Sequence, residues 1–159
     1  MQIGLMSDSH DNMDALERAV KFFNDQKVTH VLHAGDLISP FTSRKLSLLK
    51  MPLTIVFGNN DGEKQGLRNV FSGKIFDPPH QLKIGNKIIL MLHDPVQLNA
   101  FKDSGHFDLI LYGHTHEIEI THNNHTLVVN PGESGGWLTG KSTVAIWDTE
   151  LNDVVIHEI

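Results

Sequence analysis

Five short polar clusters hold the residue types that bind metal ions and activate water. Each cluster contains aspartate, asparagine or histidine and follows a stretch of apolar residues. The chain has no cysteine, so imidazole, carboxylate, carboxamide or water must hold any metal ion. The clusters are Asp8-Ser9-His10, Gly35-Asp36, Gly58-Asn59-Asn60-Asp61, His93-Asp94 and Gly113-His114-Thr115-His116.

Two clusters place metal-binding side chains two positions apart. In an extended segment alternate side chains point the same way, so Asp8 with His10, and His114 with His116, can each approach a common point. Each pair alone is a weak signal, because aspartate and histidine at strand ends are also common solvated or capping residues. The Gly58-Asn59-Asn60-Asp61 cluster is also favourable turn sequence. The joint occurrence of all five clusters in one short chain favours a metal site.

The first third of the chain is predicted to alternate strands with helices. The strands are Gln2–Ser7, Val28–Ala34 and Leu53–Phe57, and the helices are Asn12–Gln26 and Pro40–Lys50. Asp11, Asn12 or Asp14 can cap the first helix. Such alternation implies a parallel sheet whose ligands gather at the carboxyl ends of its strands, where the polar clusters lie.

The second half is predicted to be mainly antiparallel β-structure. Glu63–Phe71 is a weak helix broken by Gly66, Phe76–Pro79 is a loop, and Pro95–Asp103 is a short helix. Phe107–Tyr112 is a further buried strand. Hairpins are expected from Gln81–Ile84 with Lys87–Leu92, Glu117–Thr121 with Thr126–Val129, and Thr143–Trp147 with Val154–Glu158.

Length and charge restrict the function further. The 159 residues fit a single domain, 1–159, and no apolar run approaches the ~20 residues that span a bilayer. No secretory signal pattern precedes the polar residues after Met6, so we expect a cytoplasmic protein without a membrane role. A net charge of -6 argues against extended nucleic-acid binding, although a nucleotide substrate is compatible because bound cations invert the local charge.

The order Asp-x-His, Gly-Asp, Gly-Asn-x-Asp, His, Gly-His-x-His resembles the metallophosphoesterase (calcineurin-like phosphoesterase) superfamily. More narrowly, Ser7-Asp8-Ser9-His10, Gly58 to Glu63 and Asn130-Pro131-Gly132-Glu133 resemble its small, single-domain bacterial and archaeal phosphodiesterases. The resemblance covers nearly the whole chain. It implies an α/β fold, a four-layer α/β/β/α sandwich, with a dinuclear metal site at its rim.

The resemblance also implies a role for each candidate ligand. Asp8, His10 and His116 would bind one divalent ion, Asn59, His93 and His114 would bind the other, and Asp36 would bridge the two. Mn²⁺ is the first expectation, and Fe, Ni, Mg or Zn are compatible with the mixed ligands. Two such ions would produce a bridging hydroxide for in-line attack on a small phosphate ester.

Two positions differ from the wider superfamily. Many members have histidine where this chain has Asn60, which cannot supply a proton at neutral pH, so esters with good leaving groups are favoured. Many also have glycine where this chain has Asp94, which would either orient His93 or narrow the substrate entrance. Asp61 is expected to support the site or contact substrate.

The remaining motif, histidines and aromatic residues are expected to have structural and not functional roles. Gly135–Ser142 matches the phosphate-binding pattern G-x-x-x-x-G-K-[ST], but a β-branched, strand-like segment follows where a helix is required. His33 is expected in the core or supporting a ligand, and His30 and His80 belong to no metal-binding pattern. Surface or loop positions are expected for His106, His122, His125 and His157, and core positions for Phe22, Phe23 and Trp147.

The main alternative to an enzyme is an interaction scaffold of the same fold. Fold does not determine function, and a retromer subunit is the known example of such a scaffold. The presence of all seven candidate ligands favours metal binding. Asn60, which cannot supply a proton, is compatible with either an enzyme or a scaffold without catalysis. A homo-oligomer is compatible with the sequence.

Overall fold

The computed structural model describes residues 1–159, which form two β-sheets with helices on their outer faces. The strands are β1 (Gln2–Met6), β2 (His30–His33), β3 (Leu53–Val56), β4 (Ile75–Phe76), β5 (His80–Ile84), β6 (Lys87–Met91), β7 (Leu109–Leu111), β8 (Ile118–Asn123), β9 (Thr126–Pro131), β10 (Thr143–Asp148) and β11 (Asp153–Glu158). The α-helices are α1 (Met13–Gln26), α2 (Ser43–Leu46), α3 (Lys64–Val70) and α4 (Leu98–Asp103), and 3-10 helices at Pro40–Thr42 and Pro95–Gln97 precede α2 and α4.

The first sheet has the strand order β11-β10-β1-β2-β3-β4. Strands β1 to β4 are parallel, as the alternating strands and helices predicted. Strand β10 pairs antiparallel with β1, and β11 pairs antiparallel with β10 at the edge of the sheet. Helix α1 begins after Asn12, whose side-chain oxygen accepts the Ala15 N–H at 3.1 Å. The carboxyl ends of β1, β2 and β3 therefore lie at one edge of the sheet.

The second sheet has the order β5-β6-β7-β9-β8 and is mixed. The three expected hairpins form, but β7 pairs in parallel with both β6 and β9, so the prediction of a mainly antiparallel second half was wrong for its centre. The physical reason is the segment containing α4, which carries the chain across the sheet between β6 and β7. Both strands consequently end at the same edge.

Three apolar layers hold the sheets and helices together. One cluster lies between the two sheets and includes Leu5, Leu32, Leu109 and Trp147, a second joins the first sheet to α1, α2 and α3, and a third covers the outer face of the second sheet. Phe23 is in the core as predicted, and Phe22 packs against it in a partly buried position. The layers are helix, sheet, sheet and helix, which confirms the four-layer α/β/β/α sandwich.

Three local predictions were wrong. Helix α3 is continuous through Gly66, where a Cβ atom would lie 2.7 Å from Pro40 Cγ, so the glycine permits close packing and does not break the helix. The helix expected over Pro40–Lys50 is a short 3-10 and α-helical segment that ends at Leu46. Phe76, expected in a loop, lies in β4 and pairs with Val56 of β3.

None of the helices combines the length and the apolar character needed to cross a bilayer.

Candidate metal centre

The seven candidate ligands lie beyond the carboxyl ends of five strands. Asp8 and His10 follow β1, Asp36 follows β2 and Asn59 follows β3, while the second sheet contributes His93 after β6 and the two remaining histidines after β7. Because the two sheets pack face to face, these ends meet at one rim of the sandwich. The structure brings together Asp8, His10, Asp36, Asn59, His93, His114 and His116.

Three of these side chains form the first group. The Nε2 atoms of His116 and His10 lie 3.4 Å and 3.7 Å from Asp8 Oδ1. Metal-binding atoms of Asp8, His10 and His116 all lie within 4.8 Å of one another, a spacing that can surround one cation. Asp8 is fully buried.

Three others form the second group around an amide oxygen. Asn59 Oδ1 is 2.8 Å from His93 Nε2 and 2.8 Å from His114 Nδ1. The other ring nitrogen of His93 donates to the Ala34 carbonyl at 2.8 Å, which fixes the ring with Nε2 facing the centre, where it would be the ligand atom.

Asp36 lies between the two groups. Its Oδ2 atom is 3.5 Å from His10 Nε2 and 3.5 Å from His93 Nε2, and the carboxylate is buried. Burial alone would raise the pKa of Asp36, but hydrogen bonding and charge from His93 and two hydrogen bonds from Asn60 lower it well below its usual range. The group is therefore an anion placed between two clusters of nitrogen and oxygen donors.

The donor set fits divalent cations. Asp8 and Asp36 are buried carboxylates whose ion-pair partners are histidines, with no lysine or arginine beside them. Burial of two anions this close is costly unless cations or hydrogen-bond donors compensate. In addition, His10 Nε2 is buried without a hydrogen-bond partner. A metal ion would satisfy that nitrogen and offset both carboxylates.

The backbone at the site is strained. Five of the seven candidate ligands have positive φ angles, in the left-handed region that non-glycine residues rarely occupy. Such conformations persist only where surrounding structure enforces them, and they concentrate at functional sites. The residues and φ angles are Asp8 (53°), His10 (42°), Asp36 (59°), His114 (70°) and His116 (61°).

Two glycines of the polar clusters allow these loops to approach each other. A Cβ atom at Gly58 would lie 2.1 Å from Asp36 Oδ1, and one at Gly113 would lie 1.9 Å from Ser7 Oγ and 2.5 Å from Asp8 Oδ2. All three distances are far below van der Waals contact, so any larger residue at either position would displace a candidate ligand.

Asp61 supports the site from beneath. Its buried carboxylate accepts the main-chain N–H groups of Gly58 at 2.7 Å, Ile38 at 2.7 Å and Asp36 at 3.1 Å. It thereby ties the loop that carries Asp36 to the loop that carries Asn59.

Asn60 and Asp94 bond to different partners. Asn60 donates from both its main-chain and side-chain nitrogen atoms to Asp36, each at 2.8 Å, so it orients that carboxylate. Asp94 accepts the Val96 N–H at 2.9 Å and makes no bond to His93, so the hypothesis that it orients His93 was wrong. Its exposed carboxylate instead lines a cleft of about 220 Å³ beside Asn59 and His93.

Glu133 is a functional candidate whose role was not predicted from the sequence. Its buried carboxylate contacts His116 Nδ1 at 3.0 Å and accepts main-chain N–H groups of Trp137 at 3.0 Å and Leu138 at 2.8 Å. A carboxylate on the far nitrogen of a metal-binding histidine fixes the ring orientation and its tautomer. The Asn130-Pro131-Gly132-Glu133 motif contained this signal, but only the fold shows which histidine it reaches.

His33 supports two of the ligand loops. Its Nδ1 accepts the Gly35 N–H at 3.1 Å, and its Nε2 is 3.2 Å from Ser9 Oγ. Complete burial lowers the pKa of His33 from 6.5 to about 4, so the ring is neutral in the folded protein. This agrees with the expected core or supporting position.

The remaining histidines belong to neither ligand group, and the Gly135–Ser142 segment does not form a phosphate-binding loop. His30 bonds to Thr54, His80 stacks on Phe76, and no helix follows the Gly135–Ser142 segment, which leads into β10. His106, His122 and His125 are exposed, and His157 is partly buried against Phe22.

Substitution of Gly113 by alanine tests the close packing of the ligand loops. The added Cβ would displace Asp8, and we expect Mn²⁺ affinity to fall at least about tenfold. Gly62→Ala is the matched control, because nothing lies within 4 Å of a Cβ at that position. Titration calorimetry measures both affinities, and wild-type affinity in Gly113→Ala would contradict the described packing.

The neutral state of His33 predicts a pH dependence of stability. As pH falls from 6.5 towards 4, the unfolded chain takes up a proton on this histidine while the folded chain does not, so stability is lost in that window. The largest contribution is roughly 3 kcal/mol. Urea unfolding of metal-free protein should therefore show a steeper loss of stability with falling pH in wild type than in His33→Gln, and equal slopes would refute the assignment.

Comparisons with known proteins show the family and the fold of this chain. The family model of the calcineurin-like phosphoesterase superfamily domain matches residues 1–152. Phosphodiesterase MJ0936 of Methanocaldococcus jannaschii is 37% identical over 159 residues, with 96% of each chain covered. The solved structure of an archaeal phosphodiesterase superposes with a TM-score of 0.93 at 34% identity and 100% coverage of both chains. Vps29 of Chaetomium thermophilum, with a TM-score of 0.72 at 19% identity and coverage of 100% and 95%, shares the fold alone. The chain therefore belongs to the calcineurin-like phosphoesterase superfamily.

Proposed function

We propose that this protein is a phosphodiesterase that uses two divalent metal ions. The observation that supports the proposal most strongly is the position of Asp36, whose Oδ2 atom lies 3.5 Å from one histidine of each ligand group. One ion would be held by Asp8, His10 and His116, and Asp36 would be shared with the second ion. The second group would be Asn59, His93 and His114.

Manganese is the proposed metal, and iron, nickel, magnesium or zinc suit the same donors. The ligands combine imidazole nitrogen with carboxylate and amide oxygen, which is the mixed set of borderline first-row cations. When bound, two such ions activate a water molecule as nucleophile and offset the charge of the phosphate in the transition state.

The protein groups fix the geometry in which this chemistry occurs. Asn60 holds the Asp36 carboxylate through two hydrogen bonds, and Glu133 orients the His116 ring. The side-chain N–H of Asn60 is directed to Asp36, and an amide cannot act as an acid at neutral pH. The leaving group would therefore depart without a proton from this position, which favours diesters of acidic alcohols or phenols.

The surroundings of the site suit a small substrate. A cleft of about 220 Å³ adjoins Asn59 and His93, and its wall includes Lys64, whose ammonium group lies 5.2 Å from the centre of the Phe57 ring. A cation at this edge would attract the phosphate, whereas the net charge of -6 disfavours long polyanions. A small phosphate ester, including a nucleotide, is the substrate class that we propose, and a relative named as a phosphodiesterase supports the diester.

Hydrolysis of bis(p-nitrophenyl) phosphate with Mn²⁺ tests the proposal. We expect kcat/KM to fall at least about hundredfold in Asp36→Asn and in His114→Ala, because each removes a group that would hold an ion in the transition state. Asp25→Asn and His122→Ala are matched controls, since both residues are exposed and remote from the site. Removal of metal with a chelator should abolish activity, and added Mn²⁺ should restore it.

The alternative is a metal-binding interaction scaffold without catalysis. Under that alternative, wild-type protein with bound metal is no faster than Asp36→Asn or His114→Ala. That result would refute the phosphodiesterase proposal even if metal binding itself were measured.

A further inference from the structure

The loop that follows Glu133 places two apolar side chains in solvent beside the candidate metal centre. Trp137 is 62% exposed and Leu138 is 78% exposed. The indole Nε1–H of Trp137 donates to the main-chain oxygen of His10 at 3.0 Å. The indole therefore contacts the backbone of a residue whose side chain is a candidate metal ligand.

This exposure does not come from a loosely held loop. The buried Glu133 carboxylate accepts the N–H groups of Trp137, Leu138 and Thr139, and the same carboxylate contacts His116. At the other end of the loop, the Gly135 N–H donates to the Asp8 main-chain oxygen at 3.0 Å. The loop is thus tied to three of the seven candidate ligands, and the position of Trp137 is set by the site.

The orientation of the indole determines what it can bind. Its single N–H donor is already used by the His10 carbonyl, so the exposed remainder of the side chain is an apolar aromatic surface. An exposed apolar side chain beside a polar site is typical of a surface that receives the apolar part of a ligand. Planar rings stack on indole with little dependence on their hydrogen-bonding groups.

The two sides of the centre differ in character. Beyond His93 the cleft carries two charged side chains, Lys64 and Asp94, whereas beyond His10 the rim carries Trp137 and Leu138. A diester whose phosphate lies at the centre would extend one substituent to each side. The aromatic side suits a planar substituent.

We propose that Trp137 stacks against a planar aromatic ring of the substrate, so that the natural substrates are phosphodiesters carrying a nucleoside or an aryl group. The proposal rests on the proposed function, because the phosphate must lie at the metal centre for the ring to reach Trp137. Trp137 would determine specificity and would take no part in bond breaking.

Competitive inhibition by matched pairs of phosphate monoesters tests this. Adenosine 5′-monophosphate and ribose 5-phosphate differ by a base, and phenyl phosphate and methyl phosphate differ by a ring. In Trp137→Leu we expect inhibition by one or both ring-bearing esters to weaken about tenfold, with the ring-free esters and the bound metal content unchanged. Trp137→Phe should retain most of the inhibition by the ring-bearing esters, because phenylalanine also provides an aromatic ring. If the adenosine pair responds to Trp137→Leu the substrate carries a nucleoside, and if the phenyl pair responds it carries an aryl group.

Fluorescence and a remote variant provide the controls. The other tryptophan, Trp147, is fully buried, so quenching by the ring-bearing ester should disappear in Trp137→Phe. Leu151→Ala removes an apolar side chain with the same 78% exposure as Leu138 and should leave all four inhibition constants unchanged.

The outcomes separate this proposal from the proposed function. If all four esters inhibit and Trp137→Leu weakens none of them, stacking is refuted while the phosphodiesterase proposal stands. If the wild type hydrolyses the diester but no phosphate monoester inhibits it, stacking alone is refuted. If the wild type hydrolyses no diester, both proposals fail. If Trp137→Leu changes the oligomeric mass measured in solution but changes none of the inhibition constants, Trp137 is a contact between copies of the chain and stacking is refuted.

Discussion

The burial of two carboxylates, Asp8 and Asp36, among histidines is the constraint around which this rim of the protein is arranged. Neither anion has a lysine or arginine partner, and one nearby imidazole nitrogen, His10 Nε2, has no hydrogen-bond partner at all. In a solvent-poor site such an arrangement is unfavourable without cations. The surrounding residues nevertheless hold it in place, through hydrogen bonds from Asn60 to Asp36 and through the Asp61 carboxylate under the ligand loops.

The sandwich provides the rigid frame that this arrangement needs. Two sheets packed face to face bring five strand ends to one rim, and apolar layers on both sides of the first sheet immobilise the strands. Five candidate ligands adopt left-handed backbone conformations, which cost of order 1–3 kcal/mol each. Such strain persists because Gly58 and Gly113 let the loops approach and because the core holds the strands from which the loops emerge.

Much of this was predictable from the sequence, for identifiable reasons. Alternating apolar segments and polar clusters predicted the parallel strands and the shared edge, and the order of the clusters predicted the family. Parallel pairing of β7 was missed because its position depends on the crossover through α4 and not on its own residues. The contact of Glu133 with His116 joins residues on different loops, and no local pattern reports which histidine the carboxylate reaches.

We propose that Asp36 is shared by two metal ions. Anomalous diffraction from crystals of the Mn²⁺-loaded protein tests it most directly. We expect two manganese peaks, both within bonding distance of the Asp36 carboxylate, one beside Asp8, His10 and His116 and the other beside Asn59, His93 and His114. A single peak, or two peaks of which only one contacts Asp36, would contradict it.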